Sequence, residues 1–306
     1  MRIDDQRRSG NFEDRGTGSG GGRGGGVPVQ ALLPLLRLLG FKGTLLVGGV
    51  LAIGFFVLPA GLKQELLGAL AGGGVGAPAT SGAGSVCTAS QSNGEACHFS
   101  RVVLASTEDV WTQTFARAAL PNYGSAPGAY QQPTLVVFAN SVSTSGCGNA
   151  TSDVGPFYCP ADQNLYIDPA FYSVMEQRLR APGDFAQAYV IAHEVGHHVQ
   201  NLIGSSRLKT RGETSNQNSV RVELQADCLA GVWGYTARAS LQITEADLDE
   251  ALTAAHAIGD DTLGHSDERK FTHGSSEQRK RWFRRGFDSG DARQCDTFAA
   301  QSSNQL

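Results

Sequence analysis

Two patterns that often indicate function are missing from this chain. It has no C-x-x-C pair, so neither a cysteine-based zinc site nor a thioredoxin-like motif is supported. Its formal charges nearly cancel, with a net charge of −4 over 306 residues, and nothing global indicates nucleic-acid binding. No internal repeat is evident.

Glycine is abundant, and its distribution divides the chain. Many of the 39 glycines lie in the first 80 residues, whereas all six cysteines lie after them. Residues 1–27 are polar and end in a glycine-rich run, so they bury too little apolar surface to offset the entropy of ordering the chain. We therefore expect residues 1–42 to be a disordered, glycine-rich N-terminus that ends in a juxtamembrane segment.

An uncharged run of 20 residues, from 43 to 62, predicts a transmembrane helix. A helix of this length spans about 30 Å, the thickness of the hydrocarbon core of a bilayer. A cleaved signal peptide is one alternative, because residues 69–71 and 77–79 resemble cleavage sites. A buried helix of a soluble domain is another, and the glycine-rich flanks argue against it. More than 40 residues precede the run, however, which is unusual for a signal peptide and favours a retained anchor.

The basic residues predict the orientation of this anchor. Only Lys63 follows the run closely, so the positive-inside rule places the N-terminus in the cytoplasm and the rest of the chain outside. Residues 63–86 are expected to be a linker to a domain over 87–306. The basic residues that precede the run are Arg2, Arg7, Arg8, Arg15, Arg23, Arg37 and Lys42.

An even number of cysteines, confined to the domain, suggests disulfides in an oxidising compartment and agrees with that orientation. Sequence proximity favours the pairs Cys87–Cys97 and Cys147–Cys159, although six cysteines allow many connectivities. Cys228 could be a reactive thiol or a stray ligand, but a disulfide is favoured, with Cys295 as a candidate partner.

The patterns within the domain indicate an α+β fold that is dominated by helices and has a small β-sheet. Residues 133–138 are apolar and β-branched, as in a central strand, and residues 164–168 alternate as in a second strand. Capping residues and apolar periodicity predict the helices. They are expected at 107–115, 184–202, 215–238, from 244 onward, and 275–286.

The most informative motif is His193-Glu194-x-x-His197, an H-E-x-x-H. In a helix, positions i and i+4 share a face, so both imidazoles can bind one ion. Glu194 then lies beside the metal without binding it, where a general base for a bound water is needed. A solvated helix face with accidental spacing is the alternative, and the acidic residues downstream argue against it.

A catalytic zinc site needs a third protein ligand, with water in the fourth position. The Met-turn class is excluded, because Gln200 and Ile203 stand where its motif requires glycine and histidine. Glu223 and Asp227 lie four residues apart, on one face of a following helix. We expect Glu223 to be the third ligand and Asp227 to accept a hydrogen bond from a histidine that binds the metal. Glu213 and Asp227 are the alternatives to Glu223 for the third ligand position.

With these motifs, further segments make the chain resemble the bacterial putative neutral zinc metallopeptidase family over nearly its whole length. The resemblance implies a zincin-like, gluzincin type of domain with one zinc ion per chain and a glutamate as the third ligand. It also implies a protein of the bacterial inner membrane, whose domain is periplasmic or otherwise extracytoplasmic. The matching segments outside H-E-x-x-H are 4–8, 155–162, 223–231 and 272–279.

The implied activity is hydrolysis of a peptide or protein substrate by a metal-activated water. Glu194 is expected to take the proton of that water and to pass it to the leaving amine. His273, in a late segment where related zinc peptidases place a histidine, is the candidate donor to the oxyanion. The strand at 164–168 is expected to be an edge strand that binds an extended substrate.

Two other functions stay open at this point. The chain could be a catalytically silent, peptidase-like binding or scaffold protein, or a zinc hydrolase of a non-protein amide. The intact Glu194 favours catalysis, since a structural zinc site does not require that acid. A basic run from Arg279 to Arg285 could bind nucleic acid, but the predicted location favours a solvated or membrane-facing helix and no nucleic-acid partner.

Overall fold

The computed structural model describes residues 1–17, 84–124, 128–302 and 305–306. The transmembrane helix expected at 43–62 and most of the linker expected at 63–86 lie outside these residues. Among the residues described, no helix combines the length and the apolar character that a bilayer crossing needs.

The described residues form a helix-dominated α+β domain with a small sheet, which confirms the expected fold class. The helices are α1 (Gln91–Ala116), α2 (Ala170–Gln177), α3 (Asp184–Ile203), α4 (Ser215–Ala237), α5 (Glu245–Ala257) and α6 (Ser276–Ser289). The strands are β1 (Phe12–Asp14), β2 (Thr134–Val137), β3 (Ser141–Ser143), β4 (Asn149–Thr151), β5 (Phe157–Cys159) and β6 (Asn164–Ile167).

The main sheet has the strand order β1-β2-β6-β5. Strands β1, β2 and β6 are parallel, and β5 runs antiparallel to β6, while β3 and β4 form a separate antiparallel pair. Both central strands, β2 and β6, were expected from the sequence. β6 has a neighbour on each side, however, so the expectation that it is a free edge for substrate is wrong.

Three helix starts follow the local chemistry of capping boxes. Thr214, Thr244 and Ser275 each accept a hydrogen bond from the backbone three residues on, and the side chain there bonds back. The expected end of the last helix at Gly286 is wrong, because α6 continues through that residue and ends at Gly290 with φ of 61°.

The start of α1 is also corrected by the structure. Ser90 caps this helix, so it begins at Gln91, well before the expected Thr107. Thr107 lies inside the helix, where its hydroxyl bonds the carbonyl of Leu104, and Glu108 is buried. Glu108 therefore does not mark the start of a helix. Its carboxylate instead binds residues at the N-terminus of the chain.

Those N-terminal residues are the largest departure from the expected organisation. Residues 1–17 are part of the folded unit, and β1 pairs with β2 in the register Phe12↔Leu135 to Asp14↔Val137. The expectation of disorder is therefore wrong for residues 1–17. It rested on a composition poor in apolar residues, whereas the segment is held by hydrogen bonds from its polar side chains and backbone.

All three disulfides join the expected cysteines. They are Cys87–Cys97, Cys147–Cys159 and Cys228–Cys295. The third ties α4 to the 3₁₀ turn Ala292–Cys295, and it excludes Cys228 as a free thiol or metal ligand.

Helices α4 and α6 approach each other closely at a pair of glycines. A Cβ atom on Gly286 would lie 1.9 Å from the carbonyl oxygen of Cys228, and one on Gly231 would lie 2.1 Å from that of Phe283. Side chains at these positions would force the two backbones apart. The contact matters for the site, because α4 and α6 both contribute residues to it.

We predict that Gly286→Ala lowers the free energy of unfolding by about 1–3 kcal/mol through overpacking. This loss should appear although alanine is favoured over glycine inside a helix by about 1 kcal/mol. Denaturant unfolding followed by circular dichroism measures it. Ser289→Ala, at an exposed position of the same helix, is the control and should be neutral or stabilising. Equal stability of the two variants would refute the proposed close contact.

Candidate metal centre

The two motif histidines lie on one face of α3, as the spacing predicts. Glu250 accepts a hydrogen bond from the Phe185 backbone at the start of this helix, and Gly204 ends it with φ of 82°. The rings of His193 and His197 are 4.7 Å apart between centroids and nearly perpendicular. The helix thus presents both imidazoles to the same point.

Helix α4 brings the third candidate ligand to this point. It crosses α3 closely at Gly196, where a Cβ atom would lie 2.9 Å from the carbonyl oxygen of Ala226. The Glu223 oxygens lie 3.2 Å from His193 Nε2 and 3.6 Å from His197 Nε2. One ligand atom from each of these three residues lies within 4.8 Å of the others.

These separations fit a tetrahedral zinc site, where bonds of about 2.1 Å place ligand atoms about 3.4 Å apart. The donor set, two imidazoles and one carboxylate, is also a common one for catalytic zinc. His197 and Glu223 are partly exposed, so a fourth position can be reached from solvent. The structure therefore brings together His193, His197 and Glu223, the three residues predicted as ligands.

The second ring nitrogen of each histidine is held by a buried acceptor. His193 Nδ1 lies 2.8 Å from the Asp227 carboxylate, and His197 Nδ1 lies 2.8 Å from Gln200 Oε1. Gln200 Nε2 donates to the Val222 carbonyl, so its oxygen is the atom that faces the ring. Both histidines therefore carry a proton on Nδ1, which leaves Nε2, the nitrogen that faces Glu223, as the atom available to a metal ion.

Asp227 is itself held by two further buried side chains. Arg279 donates to both of its oxygens at 2.9 Å, and the Tyr189 hydroxyl donates at 2.6 Å. Arg279 is only 2% exposed, and Asp227 is fully buried. Burial alone would raise the pKa of Asp227, but Arg279 and His193 outweigh it and lower that pKa. Asp227 thus stays ionised in the interior.

The charges of the cluster are strongly coupled. Burial alone would lower the pKa of His193, but the carboxylates of Asp227 and Glu223 raise it to about 10. Burial would raise the pKa of Glu223, but the two histidines lower it well below its ordinary value. Without a metal ion, the cluster is therefore a carboxylate held between imidazoles that compete for protons.

Glu194 lies in the same cluster but is placed differently. Within the described residues its carboxylate makes no hydrogen bond, and it is partly exposed. Burial raises the pKa of Glu194, with a further contribution from Glu223, against the lowering effect of the histidines. A carboxylate that is unengaged and has a raised pKa suits a group that accepts and returns a proton.

His273 lies in the loop before α6, apart from the three-residue cluster. Its Nδ1 is 3.1 Å from Asp260, which also accepts the backbone N–H groups of Thr272, His273 and Gly274. A Cβ atom on Gly274 would lie 3.2 Å from Leu224, the neighbour of Glu223 on α4. The loop is thus packed against α4 at Leu224, with the His273 side chain 49% exposed.

Three residues of the site were not identified from the sequence. In the sequence Gln200 is a mismatch to the Met-turn motif, although its i+3 spacing from His197 is a usable signal. Arg279 belongs to the basic run for which a solvated or membrane-facing helix is predicted, and its burial corrects that expectation. Arg281, Arg284 and Arg285 of the run are exposed. Tyr189, four residues before His193, gave no signal.

Two other residues near the site in sequence, Glu213 and His198, have structural roles. Glu213, considered as a competing ligand, forms an ion pair with Arg221 at 2.6 Å. His198 is buried and bonds the Gln131 carbonyl and the Tyr158 hydroxyl, and burial lowers its pKa to about 4. It therefore remains neutral and joins α3 to the rest of the domain rather than binding metal.

Comparison with known proteins agrees with this site. The model of a family described as putative neutral zinc metallopeptidase matches residues 1–298, including the N-terminal strand. The chain is 44% identical to an uncharacterized protein of Escherichia coli K12, YpfJ, over 97% of this chain and 99% of that protein. It is 44% identical to an uncharacterized protein of Mycobacterium bovis over 57% of this chain and 64% of that protein. No solved structure matches the chain.

We predict that Arg279→Met lowers the free energy of unfolding by about 3–5 kcal/mol, because it leaves the Asp227 carboxylate buried without its cationic partner. Denaturant unfolding measures the change. Arg281→Met, which removes an exposed arginine from the same helix, is the control and should cost less than about 0.5 kcal/mol. If both variants were equally stable, the buried ion pair would not be the contact that holds Asp227.

We also predict that zinc binding releases protons and strengthens as the pH rises from about 6 to 8. In the metal-free protein, the raised pKa of His193 means that the ion must displace a proton. The apparent affinity should rise about tenfold per pH unit for each proton displaced. Competition with a chromophoric chelator measures it.

The matched variant for this pH dependence is Asp227→Asn, which removes the main group that raises the pKa of His193. Its zinc affinity should be lower at the higher pH but should vary less steeply with pH. A zinc affinity of the unmodified protein that is constant over this range would contradict the proposed proton competition.

Proposed function

The chain belongs to the putative neutral zinc metallopeptidase family, and on that premise we propose that it hydrolyses peptide bonds by means of a zinc-activated water. The observation that carries the proposal is the convergence of His193, His197 and Glu223, with the carboxylate of Glu194 beside them and without a hydrogen bond among the residues that the structure describes. A structural zinc site is usually closed by a fourth protein ligand and needs no such acid.

In this proposal His193, His197 and Glu223 hold the zinc ion, one per chain. Bound there, zinc would lower the pKa of a coordinated water towards about 7 and polarise the substrate carbonyl. Glu194 accepts the proton of the attacking water and later gives it to the leaving amine. Asp227 and Gln200 keep the two imidazoles in the tautomer that binds metal.

His273 is proposed as the donor to the developing oxyanion. Its Nδ1–H donates to Asp260, which leaves Nε2 as the atom that can face a substrate. The three backbone hydrogen bonds to Asp260 hold the loop in place, so the donor needs little reorganisation during the reaction. His273 would thus contact the substrate itself, whereas His193 and His197 would hold the metal ion.

The strand that binds an extended substrate is proposed to be β5 rather than β6. β5 is the last strand of the sheet, and its Tyr158 hydroxyl contacts His198 and Asn201 on α3, the helix that carries the motif. An edge strand beside the metal-binding helix can pair with a peptide backbone through β-augmentation. The substrate class supported by this arrangement is an extended peptide or an unfolded protein segment.

We further propose that the domain acts outside the cytoplasm and is attached to a membrane. The three disulfides support an oxidising compartment. The uncharged sequence from 43 to 62 supports membrane attachment through its length and composition.

We predict that Glu194→Gln retains zinc but lowers hydrolysis of a peptide library at least about hundredfold, since it removes the proton acceptor and leaves the ligands intact. Glu223→Ala should lose zinc and activity together. Mass spectrometry of the peptide products and elemental analysis of bound zinc measure the two effects on the full chain.

Glu245→Gln, at an exposed glutamate 70% open to solvent, is the matched control and should keep both zinc and activity. His273→Gln should keep zinc and lower kcat more than it changes KM. Zinc binding without any peptide cleavage by the unmodified chain would favour a binding or scaffold protein. Cleavage only of an amide-linked cell-wall fragment would favour the non-protein hydrolase.

A further inference from the structure

We propose that residues 1–17 and the peptidase domain lie on the same side of the membrane, as parts of one folded unit. The proposal rests on membrane attachment but not on the proposed chemistry. It replaces the single crossing expected from the sequence, in which the N-terminal residues are cytoplasmic and the domain is outside.

The first observation is that β1 is built into the sheet of the domain. Its residues pair with Leu135, Val136 and Val137 of β2, and the Arg15 backbone continues the pairing with a bond to the Val137 carbonyl. β2 is a central strand only because β1 covers one of its edges.

The second observation is a buried acid whose hydrogen bonds come from the N-terminal segment. The Glu108 side chain is only 1% exposed. It receives hydrogen bonds from Arg7 at 2.9 Å, Ser9 at 2.5 Å and Asn11 at 2.8 Å. A buried carboxylate is stable only when it is paired and hydrogen-bonded. The domain therefore carries a buried charge that residues 1–17 neutralise.

The third observation concerns the two ends of the intervening chain. The Thr17 backbone N–H donates to the Gly84 carbonyl at 3.0 Å. Beside it, Asp14 accepts hydrogen bonds from the Ser85 hydroxyl and from the backbones of Val86 and Cys87. Residues on opposite sides of a bilayer are separated by a hydrocarbon core of about 30 Å. A single crossing between Thr17 and Gly84 is incompatible with this contact.

The basic residues that favoured the opposite orientation are partly used in this docking. Arg7 pairs with Glu108 and Asp109, and the Arg15 guanidinium bonds Glu13 and the Ser143 carbonyl. Arginines that are neutralised by acids of the folded unit do not act as free positive charges near a membrane surface. The number of free basic residues before the uncharged run, on which the positive-inside argument depends, is therefore smaller than the sequence suggests.

Single added cysteines test the proposal in the full chain, because all six native cysteines are in disulfides. Asp4→Cys reports on the N-terminal segment and Asp249→Cys on the domain, both at exposed positions. Each variant is treated with a membrane-impermeant maleimide in intact spheroplasts and after permeabilisation, with the unmodified chain as background.

Both thiols should label without permeabilisation. If both thiols label only after permeabilisation, residues 1–17 and the domain still lie on the same side of the membrane. That result would contradict only the extracytoplasmic location proposed above. Labelling of one thiol from outside and of the other only after permeabilisation would overturn the proposal.

Hydrogen exchange of the purified full chain tests the docking itself. The backbone amides of residues 12–17 should exchange as slowly as those of β2. In Glu108→Gln these amides should exchange faster, while the amides of α4 should remain protected. Asp109→Asn, which alters an exposed partner of Arg7 on the same helix, should change it little. Fast exchange at residues 12–17 in the unmodified chain would overturn the proposal.

Discussion

The buried carboxylate of Asp227 is the constraint on which the rest of the site depends. It connects α3, through His193 and Tyr189, to α6, through Arg279, while lying on α4. An ionised group in the interior is tolerated only when several partners satisfy it. The three helices must therefore keep one relative arrangement, and that arrangement is the one in which Glu223 faces the two imidazoles.

Close backbone approach makes this arrangement possible. Gly196 lets α4 cross α3 at the motif, and Gly286 lets α6 lie against α4. Side chains at either position would move the Asp227 network and the ligands together. The disulfide between Cys228 and Cys295 lies at the same crossing, one residue after Asp227. Packing, covalent linkage and electrostatics thus support a single geometry in this region.

The sequence predicted those features whose signal is local. The spacing in H-E-x-x-H and the separation of Glu223 from Asp227 follow from helical periodicity alone, so both could be predicted without knowledge of tertiary contacts. Arg279 could not, because its burial depends on an acid 52 residues away, and in sequence it resembles its exposed neighbours. The edge position of β5 likewise depends on which strands pair, which local patterns do not determine.

Residues 1–17 are a segment whose order also depends on tertiary contacts that local sequence patterns do not contain. Their composition is that of a disordered segment, yet Arg7, Ser9 and Asn11 find a common partner in Glu108. Composition measures how much apolar surface a segment can bury, and it contains no information on specific polar partners.

The pairing of β1 with β2 also has a consequence for biosynthesis. During translation β1 emerges first, whereas Arg7 and its partner Glu108 are separated by 101 residues. β1 therefore stays unpaired until β2, its one neighbour in the sheet, has been made. Each doubling of the loop between them adds only about 0.6 kcal/mol to the entropic cost of closure, so the long separation costs little at equilibrium but slows the pairing. Until β1 pairs, β2 exposes an open edge, which a chaperone could protect from pairing with another chain.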